Sequence, residues 1–98
     1  MAMFLVVLRR SGPRWDPSLA LEQQEGFVAH AEFVDELVDR GIIILGGPLS
    51  DEIRVAYAAE ADSEDALRAQ LVRDPWEGTH LVIETIDPWN VRLDGRTP

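Results

Sequence analysis

The chain has 98 residues, 46% of them hydrophobic and none of them cysteine, which suits one domain of the usual size (roughly 100–150 residues) and leaves no room for a second. Eighteen acidic residues against nine basic ones give a formal charge of −9. The basic residues, all arginine, are spread from Arg9 to Arg96, so nucleic acid is excluded as the expected partner, and the lack of cysteine excludes disulfide staples, thiolate metal ligands and cysteine nucleophiles.

Residues 3 to 9, MFLVVLR, are rich in β-branched and aromatic side chains and end at the breaker cluster Arg9-Arg10-Ser11-Gly12-Pro13, so they are predicted as a first strand. Pro13 to Ser18 reads as loop. It is long for a strand-to-helix connection, where ~2–6 residues is usual, and long ordered loops tend to be functional. From Leu19 or Leu21 to Arg40 the apolar residues recur at helical spacing. Phe27, His30, Val34, Leu37 and Val38 share one face, with Glu32, Asp35, Glu36 and Asp39 opposite as a solvated face. Gly41 stops this helix, and Gly26, which costs about 1 kcal/mol relative to alanine in a helix interior, points to a start later than Leu21. Ile42-Ile43-Ile44-Leu45 is a second strand ended by Gly46-Gly47-Pro48. Ile53 to Glu60 alternates as a third, the two forming a hairpin. Asp62 or Ser63 caps a second helix, with Glu64 and Asp65 at its positive end and Leu67, Leu71 and Val72 toward the sheet. Asp74-Pro75 ends that helix. His80 to Ile86 is a fourth strand, and a polar tail covers about 90–98 of the single 1–98 domain.

The order β-α-β-β-α-β predicts an α+β, ferredoxin-like fold, an antiparallel sheet with two helices on one face. The first two strands are apolar on both sides: in the first, Phe4, Val6 and Leu8 point one way, Leu5 and Val7 the other. Two helices cover one side only, so the open sheet face is expected to be buried in a homodimer. A chain this short, burying only about 60–68% of its unfolded surface, has little core to spare. No apolar run approaches the ~20 residues of a membrane span, and the first eight residues are too few for a signal-peptide core with a cleavage site. No membrane partner is expected, and the expected location is cytoplasmic. Arginine in place of lysine throughout suits a GC-rich bacterial genome.

Motifs for cofactors are missing. There is no Gly-rich phosphate loop, no HExxH, no Ser-centred nucleophile elbow and no Asp-rich metal loop, so neither a cofactor nor a metal is expected; two histidines alone do not make a metal site. His30 stands out because a leucine would pack better at its place between Phe27 and Val34. Taken alone it reads as a half-buried core residue, and Asp74 as part of a helix-ending Asp-Pro pair. Topology changes that reading, because the ends of the first two strands, the start of the first helix and the end of the second gather at one edge of the sheet. That edge brings together the Arg9 to Trp15 loop, Gly46-Gly47-Pro48, Asp74-Pro75-Trp76 and His30. A carboxylate accepting from one imidazole nitrogen fixes the tautomer and leaves the other nitrogen to move a proton near neutral pH. Trp15 and Trp76 would wall a small, flat substrate, and Arg9, Arg10 or Arg14 would attract a carboxylate or enolate, although each arginine reads equally well as a solvated loop charge. His80 reads as a strand-edge residue beside Thr79, and Tyr57 and Trp89 as core or dimer aromatics.

The block HAEFVDELVDRGIIILGGPL, followed by DPW at Asp74-Pro75-Trp76, resembles the YciI-like (YCII-related) family over most of residues 3 to 89. The resemblance implies a ferredoxin-like subunit forming a dimeric α+β barrel, with a histidine-aspartate active-site pair on His30 and Asp74. One branch of that family includes a dehydrochlorinase acting on a chlorinated hydroxyhydroquinone, and relatives by fold include muconolactone isomerases and cofactor-free monooxygenases. Two classes of function stay open on this reading. One is a cofactor-independent lyase, isomerase or hydrolase for a small cyclic or aromatic metabolite, with His30 as general acid/base, Asp74 orienting it, and Arg9, Arg14, Trp15, Gly46, Gly47, Pro48 and Trp76 contacting substrate. In it, backbone amides near Gly46 and Gly47 would stabilise developing negative charge. The other is a dimeric module that binds a small molecule or completes an assembly, with His30 and Asp74 as a structural pair. The first needs a pocket open beside His30, whereas the second would seal the pair by packing.

Overall fold

The computed structural model describes residues 1–96; residues 97–98 of the polar tail lie outside them. Alternating burial along β1 (Ala2–Arg9) follows the sequence pattern, with Phe4, Val6 and Leu8 buried and Leu5 and Val7 half-covered on the other side. The chain continues through one 3₁₀ turn (Leu21–Gln23), α1 (Phe27–Asp39), β2 (Ile43–Pro48), β3 (Arg54–Ala61), α2 (Glu64–Leu71) and β4 (Val82–Pro88). The four strands make one antiparallel sheet in the order β2-β3-β1-β4. This α+β arrangement is compatible with a ferredoxin-like fold. The central pair β1 and β3 stays in register from Ala2 opposite Ala61 to Arg9 opposite Arg54, whereas irregularities between Val7 and Leu8 and between Ile43 and Leu45 bend the two edge pairings.

One core joins sheet and helices. Val6, Ala59, Leu37 and Leu67 are fully buried, and Phe33, Leu71, Tyr57 and Trp76 belong to the same cluster. The expected face of α1 shifts: Phe33 and Leu37, one turn apart, are the buried pair, while Phe27, His30 and Val34 are half-buried and Val38 is exposed. The stripe through Phe33 and Leu37 points at the sheet, and Val34 and Val38 flank it. α1 begins at Phe27, not at Leu19 or Leu21, because Gly26 at its N-cap has φ 78°. A side chain in that left-handed conformation would cost about 1–2 kcal/mol, so the helix starts where glycine stands. Ser63 caps α2, its hydroxyl accepting from the Ala66 amide at 3.0 Å. Val72, expected to face the sheet, is exposed, since the helix stops at Leu71 and Val72 is its C-cap.

Two strand boundaries also move. β2 runs through Gly46-Gly47-Pro48 instead of ending before them, because Gly46 and Gly47 remain paired opposite Tyr57 and Ala56. β4 starts at Val82, since a turn holds residues 76–81 first; the Thr79, His80 and Leu81 amides all reach the Trp76 carbonyl. The long loop after β1 is pinned by a residue the hydropathy pattern gives no reason to single out. Gln24 is 3% exposed; its amide nitrogen donates to the Asp16 and Leu19 carbonyls and its carbonyl accepts from the Asp16 amide. A second clamp comes from Gly12 and Arg14, whose amides donate to the His80 and Thr79 carbonyls. The sheet face away from the helices carries Leu5, Val7, Ala56 and Ala58, with Leu45 and Trp89 exposed beside them. Among the described residues no helix is long and apolar enough to cross a membrane.

Candidate active site

The turn Asp74-Pro75-Trp76 sets the site. The Trp76 amide donates to Asp74 Oδ1 at 2.8 Å, an Asx turn for which proline supplies the fixed φ. The carboxylate is thereby aimed at α1, where both its oxygens lie close to His30 Nδ1, Oδ1 at 2.9 Å and Oδ2 at 2.8 Å. The two side chains are 44 residues apart in sequence and both nearly buried, at 12% and 7% exposure. A carboxylate accepts only. Facing it, the neutral imidazole of His30 carries its proton on Nδ1 and presents a bare lone pair at Nε2. A charge-assisted bond of this kind is worth about 1.5–3 kcal/mol, enough to make the other tautomer the minor one.

Trp76 fixes the plane of that ring. It is 1% exposed, its indole N–H donates to the Glu25 carbonyl at 2.8 Å, and His30 stacks on it at 4.2 Å between centroids with an 8° tilt. His80 stacks on it too, at 4.7 Å and 18°, and Trp15 meets it edge-on at 6.0 Å. His80 is therefore a buried residue of the turn before β4 and not the strand-edge residue its sequence context suggests. The Thr79 hydroxyl donates to the Pro75 carbonyl and so accepts from His80 Nδ1, 3.1 Å away. His80 Nε2 is then a lone pair with no partner, the only such buried side-chain atom among the described residues. Burial pushes the His80 pKa below the ordinary imidazole value, keeping the ring neutral.

Beside His30 lies a cavity of about 330 Å³, at the small end of the ~300–1,000 Å³ usual for small-ligand pockets. His30, Trp76, Gly46, Gly47 and Pro48, all expected at the site, line it. Asp74 does not; it stands behind His30, where an orienting group belongs. Of the three arginines considered, Arg10 alone borders the cavity. Arg9 pairs with Glu84 at the sheet edge, and Arg14 pairs with the exposed Glu25 at 3.5 Å. Trp15 lines a neighbouring groove with Arg10 and Leu21 and meets the site through Trp76 and Arg10, without lining the cavity. Gly46 and Gly47 sit within a ladder, where successive amides point to opposite edges, so they do not aim two N–H groups at one oxygen.

Tyr57 is a core aromatic, only 7% exposed, and it also lines the cavity. Its place depends on Gly46, where a Cβ would stand 2.7 Å from the Tyr57 ring. Burial first, and the Asp74 charge second, push the Tyr57 phenol far above its ordinary pKa, so it remains a donor. The signal for Arg10 and Tyr57 was strand parity: Arg10 is two residues beyond the inward Leu8, and Tyr57 lies between the inward Val55 and Ala59. Among the described residues no group of three or more His, Cys, Asp or Glu side chains is arranged to hold a metal ion. Comparison with protein-family models, with curated proteins and with solved structures finds no significant match to this chain.

Proposed function

We propose that this chain is a YciI-like protein and a cofactor-independent general acid/base enzyme, acting as a lyase, isomerase or hydrolase on a small cyclic or aromatic metabolite. One observation carries the reading: His30 is tied at Nδ1 by Asp74 and borders an open cavity on its other side. Among the described residues its Nε2 has no protein partner, and it is not one of the sealed polar atoms, a group that there contains His80 Nε2 alone. In this mechanism Nε2 takes a proton from an acidic C–H or O–H of the substrate, and Asp74 stabilises the imidazolium that forms. The proton returns to a different atom in an isomerisation, or leaves with the departing group in an elimination. Trp76 holds the ring in plane throughout. The test is a screen of small cyclic hydroxy acids, lactones and halogenated phenols without added cofactor, run on wild type and His30→Gln side by side.

The same reading pairs two copies through the open sheet face, as in a dimeric α+β barrel. Leu5, Val7, Ala56 and Ala58 make an uncharged strip there, with Leu45 and Trp89 standing out at 70% and 44% exposure. Covering that apolar strip is what a second copy would gain, with Asp87, opposite Leu5 in the register, at its edge. Sedimentation is expected to give the mass of two 11.0 kDa chains. A monomer at every accessible concentration would remove the dimer from this account.

A further inference from the structure

The cavity beside His30 is apolar over most of its wall, through side chains such as Leu21, Phe27, Val34 and Leu81. Its inner polar groups besides His30 are two donors. Arg10, 10% exposed at its side chain, uses Nη1 to reach the Glu52 carbonyl at 2.8 Å and a Glu52 carboxylate oxygen at 3.4 Å. Among the described residues its Nε–H and Nη2 group make no hydrogen bond, while its guanidinium lies over the Trp15 ring at 5.3 Å, which restricts the direction of the fork. Tyr57 adds a hydroxyl that makes no hydrogen bond within the described residues. The unbonded atoms of both groups are open to solvent, since neither is among the sealed atoms without a partner; a ligand that covers them without offering an acceptor forfeits about 1–3 kcal/mol, so an oxygen from outside the chain is what this pair selects. Arg10 and Tyr57 both line this one cavity of about 330 Å³. The one acidic residue on the cavity wall, Asp35, is exposed at the rim, and Asp74 is turned toward His30.

We propose that the cavity takes a flat ring bearing one carboxylate, with the carboxylate held by the free side of Arg10 and the Tyr57 hydroxyl and the ring lying against the apolar wall next to His30. This rests on the reading of His30 as the proton-moving residue, and it adds what the substrate must carry. A chain of charge −9 repels anions from a distance, so an anion enters only where fixed local donors outweigh that field. A planar guanidinium fork matches a carboxylate edge, and a phenol held in its protonated form supplies a further short bond. An uncharged ring of the same shape would leave both donors unpaired.

Benzoate and benzamide, equal in shape and different in charge, are the probes. Each is titrated into the isotope-labelled protein while the ring signals of His30 and His80 and the Trp76 indole N–H are followed. Benzoate is expected to shift His30 in a saturable way and to bind at least tenfold more tightly than benzamide, about 1.4 kcal/mol. Tyr57→Phe, which keeps the ring against Gly46, is expected to weaken benzoate about tenfold while changing benzamide less than threefold. Arg10→Gln should abolish the preference for the anion. Equal binding of the two probes, a preference that survives both substitutions, or no binding of either, overturns the proposal. None of those outcomes touches the His30 tautomer, which is read separately in Asp74→Asn, so failure of the anion site and failure of the histidine pair are told apart.

Discussion

Trp76→Ala is expected to destabilise the protein by about 3–5 kcal/mol, the cost of removing a large aromatic from a core. The indole is 1% exposed and meets His30, His80, Trp15 and Phe27. The two stacked neighbours are not free to collapse into the space, because His30 is tied to Asp74 and His80 to Thr79. The Glu25 carbonyl also loses its donor. For a domain whose total stability is of order 5–15 kcal/mol, this is a large share. At about 4–8 °C per kcal/mol for a chain of this size, the Tm should fall by more than roughly 12 °C. Urea unfolding read by tryptophan-independent circular dichroism measures it, and a loss under about 1.5 kcal/mol would show that the stacked rings are not the frame of the site.

The second large effect is on turnover. For any substrate that wild type converts, His30→Gln is expected to lower kcat by about 10²–10⁴, the usual contribution of a positioned general acid/base. Glutamine donates to Asp74 much as Nδ1–H does, so the carboxylate keeps a partner and the fold should lose less than about 1.5 kcal/mol. It has no group that takes and returns a proton. Full activity in His30→Gln would remove this residue from the chemistry. A loss of several kcal/mol of stability, with no activity in either protein, would mark His30 and Asp74 as a structural pair.

The strands and helices were legible because each carries its own local signature: the alternation in Phe4, Val6 and Leu8, the serine cap at Ser63, glycine at the start of α1. The pairing of His30 with Asp74 needed more than local pattern. Residues 44 apart meet only because the turn after α2 packs against the first turns of α1, and the β-α-β-β-α-β order was what brought them to one edge. Other features depend on contacts that no periodicity encodes. Gln24 looks like an ordinary polar residue until its amide closes the loop from Asp16 to Leu19. His80 reads as the start of a strand, yet the Trp76 carbonyl gathers three amides and holds it in a turn. Phe33 was hidden by the neighbouring Val34, since a shift of one residue rotates the buried stripe of a helix by about 100°. Of the three arginines considered, parity with the inward Leu8 is what singles out Arg10, and the inward parity of β3 puts Tyr57 on the cavity wall as well as in the core.

The central claim is that Asp74 holds His30 as the Nδ1–H tautomer and leaves Nε2 bare toward the cavity. Long-range proton–nitrogen correlation of the two imidazole rings at alkaline pH, in wild type and in Asp74→Asn, tests it most directly. The account predicts a pyrrole-like Nδ1 and a pyridine-like Nε2 for His30 in wild type, shifting in Asp74→Asn toward a mixture of tautomers. His80, tied through Thr79, should give the Nδ1–H pattern in both proteins and so serves as an internal reference. A wild-type His30 protonated at Nε2, or a tautomer indifferent to Asp74, would contradict the account.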